Sequence, residues 1–255
     1  IKSKNRKLSN FWKTNIINEY LLGKKINISK KILRVSTNSK IIGKNGLFVG
    51  LKGKNFDGSL FADDAIKNNA KAALVGDYID SKNINIFKVT NSLKTFSKIS
   101  SAIRNVSNIN TIAITGSSGK TSFKDLLASS LSKLSPTSYS KKSFNNKFGV
   151  PESLFSINFK DDFGVFEVGM DKKGEINNLS KLINPNVGVI TNISYAHIKN
   201  FNNLKEIASA KSELIDNILP GGTLVINRDD KFYYYLKKKA IIYNLNVISF
   251  SKSHK

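Results

Sequence analysis

Apolar residues in the second half of the chain follow two alternating patterns. Short runs rich in β-branched residues predict strands at 111–115, 163–168, 187–192, 223–227 and 246–250. Helical spacing of apolar residues predicts helices near 121–134, 174–183, 203–218 and 230–239. Alternating strands and helices build a mostly parallel sheet flanked by helices on both faces. This half is therefore predicted to be an α/β domain.

The first half shows the same alternation on a smaller scale. Strands are predicted at 32–35, 46–51, 72–75 and 84–89, with a helix over 59–69 and a polar helical stretch over 92–107. The chain is therefore predicted to contain a small α/β N-terminal domain over 1–90 and a linker over 91–108. A larger α/β domain with a mostly parallel sheet follows over 109–255.

The strongest local signal is TIAITGSSGKTS at 111–122, in which a buried strand runs into a glycine-rich turn and a helix. Glycines let backbone N–H groups converge on an anion, and the helix N-terminus adds its positive dipole. Lys120 is placed to reach terminal phosphates, and the Thr121 hydroxyl is suited to Mg²⁺. We interpret the segment as a phosphate loop for ATP or GTP. The match to the general pattern G-x-x-x-x-G-K-[ST] is incomplete, because Ile114 stands where the pattern has its first glycine. The alternative interpretation is therefore a glycine-rich turn before a surface lysine.

Polar residues stand at the ends of the next predicted strands. Glu167 ends one, His197 follows another, and Asn227 with Asp229 and Asp230 follows a third. Ligands of such sheets gather beyond the carboxyl ends of the strands, where carboxylate, hydroxyl and imidazole groups are suited to a divalent ion. Each residue has an alternative role: Glu167 as an ion-paired or solvent-facing carboxylate, His197 as a structural residue, and the last three as a turn that caps a helix.

Lys211 differs from the many other lysines because helical spacing puts it on one stripe with Ile207 and Leu214. Partial burial would lower its pKa and leave more neutral, nucleophilic amine. The alternative is a lysine that buries its stem and keeps its charge in water.

Composition narrows the function classes. The 255 residues are 40% hydrophobic, contain no cysteine and show no run of about 18 apolar residues, which favours a cytoplasmic protein without membrane insertion. The formal charge is +23, yet only four of the 41 basic residues are arginine, and the 37 lysines are spread along the chain. Surfaces dedicated to nucleic acid favour arginine and interleaved aromatic residues. We therefore expect no specific nucleic-acid partner.

Several motifs together resemble the Mur ligases, most closely the MurF type, from about residue 33 to the end. TGSSGKT at 115–121 is similar to the shorter phosphate-loop signature of this family. That signature begins after Ile114, so Ile114 does not conflict with it. The other matching motifs are LFVGLKGKNFDG at 47–58, FNNKFGVPESL at 144–154, FEVGMDKKGEI at 166–176, VITNISYAHIKNF at 189–201, EIASAKSELI at 206–215 and VINRDD at 225–230.

The resemblance implies an ATP and magnesium site. The residues implied to bind ATP are Gly116, Ser117, Ser118, Gly119, Lys120, Thr121 and Ser122, with Asn227 and Asp229 near the adenosine. The residues implied to serve magnesium are Thr121, Glu167, His197 and Lys211. Lys120, His197 and Lys211 are implied to be catalytic. Lys211 would react with CO₂ and bind the metal as a carbamate.

The resemblance also implies a substrate, UDP-MurNAc-peptide. Ser39 with Lys54, Asn55 and Phe56 would bind the uridine nucleotide, and Asn145 and Asn146 would face the muramoyl group. Two positions depart from the family pattern. The usual D-S-R is Asn38-Ser39-Lys40 here, and the usual acidic residue after the paired asparagines is Lys147.

The reaction implied is ATP-dependent amide bond formation with D-Ala-D-Ala through an acyl phosphate, catalysed by a monomer. The family's C-terminal acceptor domain is not recognised in the sequence, so these 255 residues alone are expected to bind nucleotides without forming the amide. Three alternatives stay open. They are a sister Mur ligase that adds another amino acid, a nucleotide-binding module without ligase activity, and a basic P-loop protein associated with nucleic acid.

Overall fold

A computed structural model describes residues 12–21, 31–53, 55–195 and 200–253 of the chain. The chain divides into two compact units, Ile1–Val106 and Ser107–Lys255. Each unit contains a parallel sheet with helices, so the predicted α/β class is confirmed. Within the described residues, no helix is both long and apolar enough to cross a membrane.

The first unit contains a four-stranded parallel sheet in the order β1-β2-β3-β4. Its strands are β1 (Arg34–Ser36), β2 (Gly46–Val49), β3 (Ala72–Gly76) and β4 (Ile86–Val89). Its helices are α1 (Trp12–Leu21), α2 (Ala62–Lys67) and α3 (Ser92–Ser107), with a short 3-10 helix at Gly58–Phe61. Phe48 and Val75 of the sheet pack with Ala65 of α2 in the core.

Helix α3 occupies nearly all of the stretch that the sequence predicted to be a linker. It buries Phe96, Ile99 and Ile103 completely, at the three- and four-residue spacing of a core-facing stripe. As far as Val106, the helix belongs to the first compact unit. Because polar residues surround this stripe, the sequence pattern indicated a linker.

The second unit contains a six-stranded parallel sheet in the order β10-β9-β8-β5-β7-β6. Its strands are β5 (Asn110–Thr115), β6 (Thr137–Tyr139), β7 (Phe163–Glu167), β8 (Val187–Ile190), β9 (Thr223–Asn227) and β10 (Asn246–Phe250). Its helices are α4 (Lys120–Ser132), α5 (Gly149–Phe155), α6 (Glu175–Ile183), α7 (Leu204–Ser212) and α8 (Tyr233–Ile242), with a 3-10 helix at Ile215–Asn217.

Strand β5 is the point at which the strand order reverses. The chain goes from β5 to β6 and β7 on one side, then crosses to β8, β9 and β10 on the other. The register pairs Ile114 with Glu167 and Thr115 with Ile190, so the carboxyl ends of β5, β7 and β8 are level. In open α/β sheets a crevice for ligands forms outside the strands at such a point.

Several predicted elements differ from the observed ones. The helix predicted over 203–218 ends at Ser212 and continues as a turn and a 3-10 helix, whereas β6 and α5 were not predicted at all. Within α4, Leu127 and Leu131 pack on the core cluster of β5, β7 and β8. Phe123 and Leu126, apolar residues of the same helix, are 37% and 67% exposed.

Asparagine ends many of the helices in this protein. Five of the six described non-glycine residues with positive φ are asparagines, namely Asn45, Asn69, Asn108, Asn184 and Asn244. Four of them stand where a helix ends, a position that needs the left-handed conformation. Beside two of them, Ala70 N–H donates to Ala65 O at 2.9 Å and Leu245 N–H donates to Ala240 O at 3.0 Å. These bonds satisfy carbonyl groups that the helix leaves unpaired.

Candidate functional site

The phosphate loop runs from the end of β5 to the start of α4. Gly116 has φ +150°, and a Cβ atom there would lie 1.9 Å from Thr191 Oγ1. Gly119 is left-handed, with φ +74°, and immediately precedes α4. The position of Gly116 therefore requires glycine because of crowding and backbone conformation, whereas the left-handed conformation of Gly119 favours glycine. Ile114 is a buried residue of β5 and lies outside the loop.

The start of α4 has the features of an anion site. Its first α-helical hydrogen bond is donated by Phe123 N–H to Gly119 O at 3.0 Å, so the N–H groups before Phe123 have no partner within the helix. The positive end of the helix dipole adds to their attraction for an anion. Lys120 lies folded over the loop, with Nζ donating to Gly116 O at 2.9 Å. A phosphate group offers this ammonium group a stronger, charged acceptor.

Glu167 lies at the centre of a hydrogen-bonded group of side chains at the end of β7. It is 1% exposed, and its carboxylate accepts from Thr121 Oγ1 and from Asn145 Nδ2, each at 2.7 Å. The alternative of a solvent-facing carboxylate is therefore wrong. The hydroxyl and carboxylate oxygens are ligands that fit Mg²⁺. Among the described residues, here as elsewhere, no group of three or more histidine, aspartate or glutamate side chains is placed to hold a metal.

Lys211 is buried in α7, together with the other two residues of its stripe. The lysine is 2% exposed, while Ile207 and Leu214 are 1% and 0% exposed. Desolvation, followed by repulsion from Lys120, lowers the pKa of Lys211 from its ordinary value of 10.5 to about 7. The alternative of a lysine that keeps its charge in water is therefore wrong.

The C-terminal end of α7 is fixed from two directions. Lys239 of α8 donates to Ser212 O at 2.9 Å and forms an ion pair with Asp216 at 2.8 Å. Glu213 accepts from the backbone N–H groups of Gly174 and Asn177, at 2.7 and 3.0 Å, at the start of α6. These contacts adjoin Lys211 in the chain and restrict the position of its backbone.

The paired asparagines have separate surroundings. Asn145 donates to Glu167, as described above, whereas Asn146 Oδ1 accepts from the N–H groups of Phe148 and Gly149 at 3.0 Å each, where α5 begins. Nearby, the fully buried Lys124 donates to Lys142 O at 2.6 Å and holds the loop before the asparagines. Contact of either asparagine with the muramoyl group stays a prediction.

The residues predicted near adenosine form hydrogen bonds at the ends of β9 and β10. Asn227 Oδ1 accepts from Asp229 N–H at 2.9 Å, which is a bond within a turn. Asp229 accepts from Ser251 Oγ and from Lys252 N–H, each at 2.7 Å, and so links the turn after β9 to the residues after β10. The alternative turn-forming role is therefore present for Asn227. An additional contact with adenosine stays a prediction.

A residue that the sequence analysis did not select, Asn192, is bonded to the phosphate loop. Its carboxamide contacts the backbone of Ser117 and Ser118. The available signal was its position at the end of the strand predicted over 187–192, two residues after the end of β8. His197, which follows in the same segment, lies outside the described residues.

The first unit has a cavity of about 460 Å³ that is lined by Ser39, Phe56 and Phe61, among other residues. The two phenylalanine rings stack with their centroids 5.3 Å apart. Asn38 Oδ1 accepts from Lys40 N–H at 2.9 Å, so the neutral amide supports the same local turn that an aspartate would support. Asn55 is exposed, and Lys54 lies outside the described residues.

Two family models cover nearly all of the chain. The Mur ligase middle domain matches residues 114–255, and the catalytic domain of the Mur ligase family matches residues 31–113. The chain belongs to the Mur ligase family.

Two curated relatives share the same name. The UDP-N-acetylmuramoyl-tripeptide–D-alanyl-D-alanine ligase of Rickettsia prowazekii is 36% identical over 92% of this chain and 52% of its own length. The enzyme of the same name from Buchnera aphidicola subsp. Baizongia pistaciae is 34% identical over 88% of this chain and 48% of its own length. This Mur ligase chain thus spans about half the length of the curated relatives it matches.

Solved MurF structures have the same fold. MurF from Acinetobacter baumannii superposes with a TM-score of 0.85 at 30% identity, covering 94% of this chain and 53% of that chain. MurF from Thermotoga maritima in complex with ADP superposes with a TM-score of 0.77 at 28% identity, covering 87% of this chain and 51% of that chain. The fold of this Mur ligase chain is therefore that of the corresponding part of MurF.

Replacement of the buried lysine should raise thermal stability in a pH-dependent way. Between about pH 7 and pH 10.5 the unfolded chain binds a proton that folded Lys211 has released, so the stability of the wild type rises with pH. Lys211→Met removes this dependence. In CO₂-free buffer its melting temperature should exceed that of the wild type most at or below pH 7, and the difference should shrink towards pH 10.5. Lys205→Met, at an exposed position of the same helix, is the control. A difference that does not change with pH would contradict the lowered pKa.

Proposed function

We propose that this chain carries the ATP site and the UDP-substrate site of a ligase that joins UDP-MurNAc-tripeptide to D-alanyl-D-alanine. The observation that carries the proposal is the phosphate loop beside the Thr121–Glu167 pair, at the point where the strand order reverses in a MurF fold. The names of the relatives from Rickettsia and Buchnera supply the two substrates.

The loop from Gly116 to Ser122 would bind the phosphates of ATP, with Asn227 and Asp229 towards the adenosine. Lys120 would leave Gly116 O and neutralise the negative charge of the terminal phosphate. Thr121, Glu167 and His197 would hold Mg²⁺, which supplies further charge neutralisation when bound. The hydrogen bond of 2.7 Å between Thr121 and Glu167 supports this pairing of oxygen ligands.

The reaction would proceed in two steps. A carboxylate oxygen of the tripeptide attacks the γ-phosphorus of ATP, the bond to the bridging oxygen breaks, and ADP leaves. The amine of D-Ala-D-Ala then attacks the acyl carbon and loses a proton, and inorganic phosphate leaves as the amide forms. Because phosphoryl transfer depends mainly on position and charge, a lysine and oxygen-bound Mg²⁺ are suited to the first step.

Lys211 would take part as a carbamate. Its neutral amine would attack CO₂, form a C–N bond and release a proton, and the product would be an anion suited to Mg²⁺. The low pKa of about 7 and the burial of the side chain support this assignment, because both favour the neutral amine. The new anion would also replace a repulsion from Lys120 by an attraction.

The cavity of the first unit would receive the uridine nucleotide. Ser39 and the aromatic Phe56 line it, while Lys54 and Asn55 belong to the same family motif. Asn145 and Asn146 would face the muramoyl group. We place this activity in the cytoplasm, in a monomer that does not insert into membranes.

Loss of the loop lysine should weaken ATP binding. Calorimetry on the 255-residue chain with ATP and Mg²⁺ should show at least a 5- to 10-fold lower affinity for Lys120→Ala, because a charge-assisted contact with phosphate contributes more than about 1 kcal/mol. Lys133→Ala, at the exposed C-terminal end of α4, should bind like the wild type. Equal affinity in Lys120→Ala and the wild type would show that the loop does not bind the phosphates.

Carbamate formation should be visible without any assay of activity. With ¹³C-labelled bicarbonate, the wild-type chain should show a carbamate carbon resonance that strengthens as pH rises through about 7 and more of the Lys211 amine is neutral. Lys211→Arg should lack this resonance, whereas Lys205→Arg should keep it. A spectrum that is the same for the wild type and Lys211→Arg would refute the assignment.

The substrate assignment can be tested by binding. UDP-MurNAc-tripeptide should bind more tightly than UDP-MurNAc-L-Ala-D-Glu, whereas a sister ligase should prefer the shorter substrate. Phe56→Ala should weaken binding of both compounds about 10-fold through loss of aromatic contact in the cavity. Tyr20→Ala removes an exposed aromatic residue outside the cavity lining and should have no effect. Tighter binding of the shorter compound would contradict the MurF assignment.

A further inference from the structure

The carboxamide of Asn192 forms hydrogen bonds with both Ser117 and Ser118 of the phosphate loop. Its Oδ1 accepts from Ser117 N–H at 3.1 Å and from Ser118 N–H at 3.0 Å, and its Nδ2 donates to Ser118 Oγ at 2.7 Å. A backbone N–H group can only donate, so the atom that faces both N–H groups must be the oxygen. The orientation of the amide is thereby fixed by its partners.

Residues 191–194, which we term the strap, add further bonds to the same two loop residues. Thr191 Oγ1 donates to Ser118 O at 2.7 Å. Ser117 Oγ donates to Ser194 O and accepts from Ser194 N–H, both at 2.9 Å. The first half of the phosphate loop is therefore held by side-chain and backbone groups of the strap.

The strap is itself fixed on its other side. Ile193 N–H donates to Asp230 Oδ2 at 2.7 Å, and Asp230 Oδ1 accepts from Phe232 N–H at 2.8 Å in the turn that leads to α8. The strap thus connects the phosphate loop to the end of β9. A loop held in this way loses little conformational freedom when an anion binds, because most of its ordering has occurred during folding.

We propose that Asn192 is a positioning residue that divides the phosphate loop into a structural half and a binding half. The N–H groups of Ser117 and Ser118 are bound to Asn192 and stay so when ATP binds. The phosphates are then received by the N–H groups from Gly119 to Ser122 and by Lys120. This inference rests on the proposed ATP-binding function and states which backbone groups perform it.

Two physical reasons support this division. Each N–H group carries one proton, so Ser118 could bind phosphate only after its bond to Asn192 Oδ1 had broken. Ser117 donates both to Asn192 Oδ1 and to the backbone Asn192 O, at 3.1 and 3.0 Å, and both of these bonds would have to break. The N–H groups of the first turn of α4 have no such competing partner within the helix and point along the positive end of its dipole. The N–H groups of the binding half are thus available without breaking a helical hydrogen bond, and only the Lys120 side chain must leave Gly116 O.

Amide exchange at single residues tests the proposal on the 255-residue chain. In the wild type, the N–H groups of Ser117 and Ser118 should exchange slowly without nucleotide and change less than twofold when ATP and Mg²⁺ are added. The N–H groups of Gly119 to Ser122 should slow at least 10-fold on the same addition. Protection of Ser117 and Ser118 that arises only with ATP would overturn the proposal.

Two substitutions separate geometry from charge. Asn192→Ala should speed the exchange of Ser118 at least 10-fold and weaken ATP binding 10- to 100-fold. The exchange of Ser117 should change less, because its N–H also donates to the backbone Asn192 O at 3.0 Å, which alanine retains. Asn192→Asp keeps an acceptor for both N–H groups, so their slow exchange should persist. Its negative charge should weaken ATP binding by an amount that shrinks at high salt. Because the exchange pattern of the wild type already tests the idea, the proposal stays falsifiable if the alanine variant does not fold.

Asn186→Ala is the matched control. Asn186 Oδ1 accepts from Thr111 N–H at 2.9 Å, beside the opposite end of β8, and so makes the same kind of bond away from the loop. Asn186→Ala should leave ATP affinity unchanged, and an equal loss in both alanine variants would overturn the specific role of Asn192. A wild type that binds no ATP would refute the proposed function, whereas exchange without nucleotide would still test the contacts of Asn192.

Discussion

The parallel pairing of β5 with both β7 and β8 determines the arrangement of the whole site. This pairing brings Thr115, Glu167 and Ile190 to one edge of the sheet, within the spacing of neighbouring strands. The phosphate loop, the buried carboxylate and the strap each follow directly from one of these strand ends. Because the strand order reverses at β5, the loops that follow β5 and β7 leave on different paths and a crevice remains between them. The three groups would lie further apart if β7 and β8 were not both neighbours of β5.

The charged side chains of the site are not neutralised by one another. Lys120 and Lys211 are close enough to influence one another, and Lys211 is almost fully removed from water. Glu167 accepts hydrogen bonds from two neutral groups. A triphosphate, a divalent cation and an anionic group on Lys211 together would supply the missing charges of both signs. The protein part of the site therefore has the electrostatic character of a receptor for several charged components, not of a self-sufficient cluster.

The sequence allowed the fold class and the charged residues of the site to be predicted, but not the contacts between distant segments. Glu167 and Lys211 were selected because ionisable residues interrupt apolar patterns, and both are buried. Strands β9 and β10 have the predicted bounds. The helix predicted over 203–218 was too long, because buried apolar residues such as Leu214 and Ile218 continue the periodicity through a 3-10 turn. Asn192 was missed because its partners are 74 and 75 residues away, and no local pattern records such a contact.

The asparagines that end four helices bear on the unfolded chain as well as on the folded one. The residue at a helix end in the left-handed conformation is most often glycine, and asparagine is the other residue that adopts this conformation readily. Asn69, Asn108, Asn184 and Asn244 have this conformation where helices end. Unlike glycine, they also restrict the unfolded chain, so they reduce the conformational entropy lost on folding.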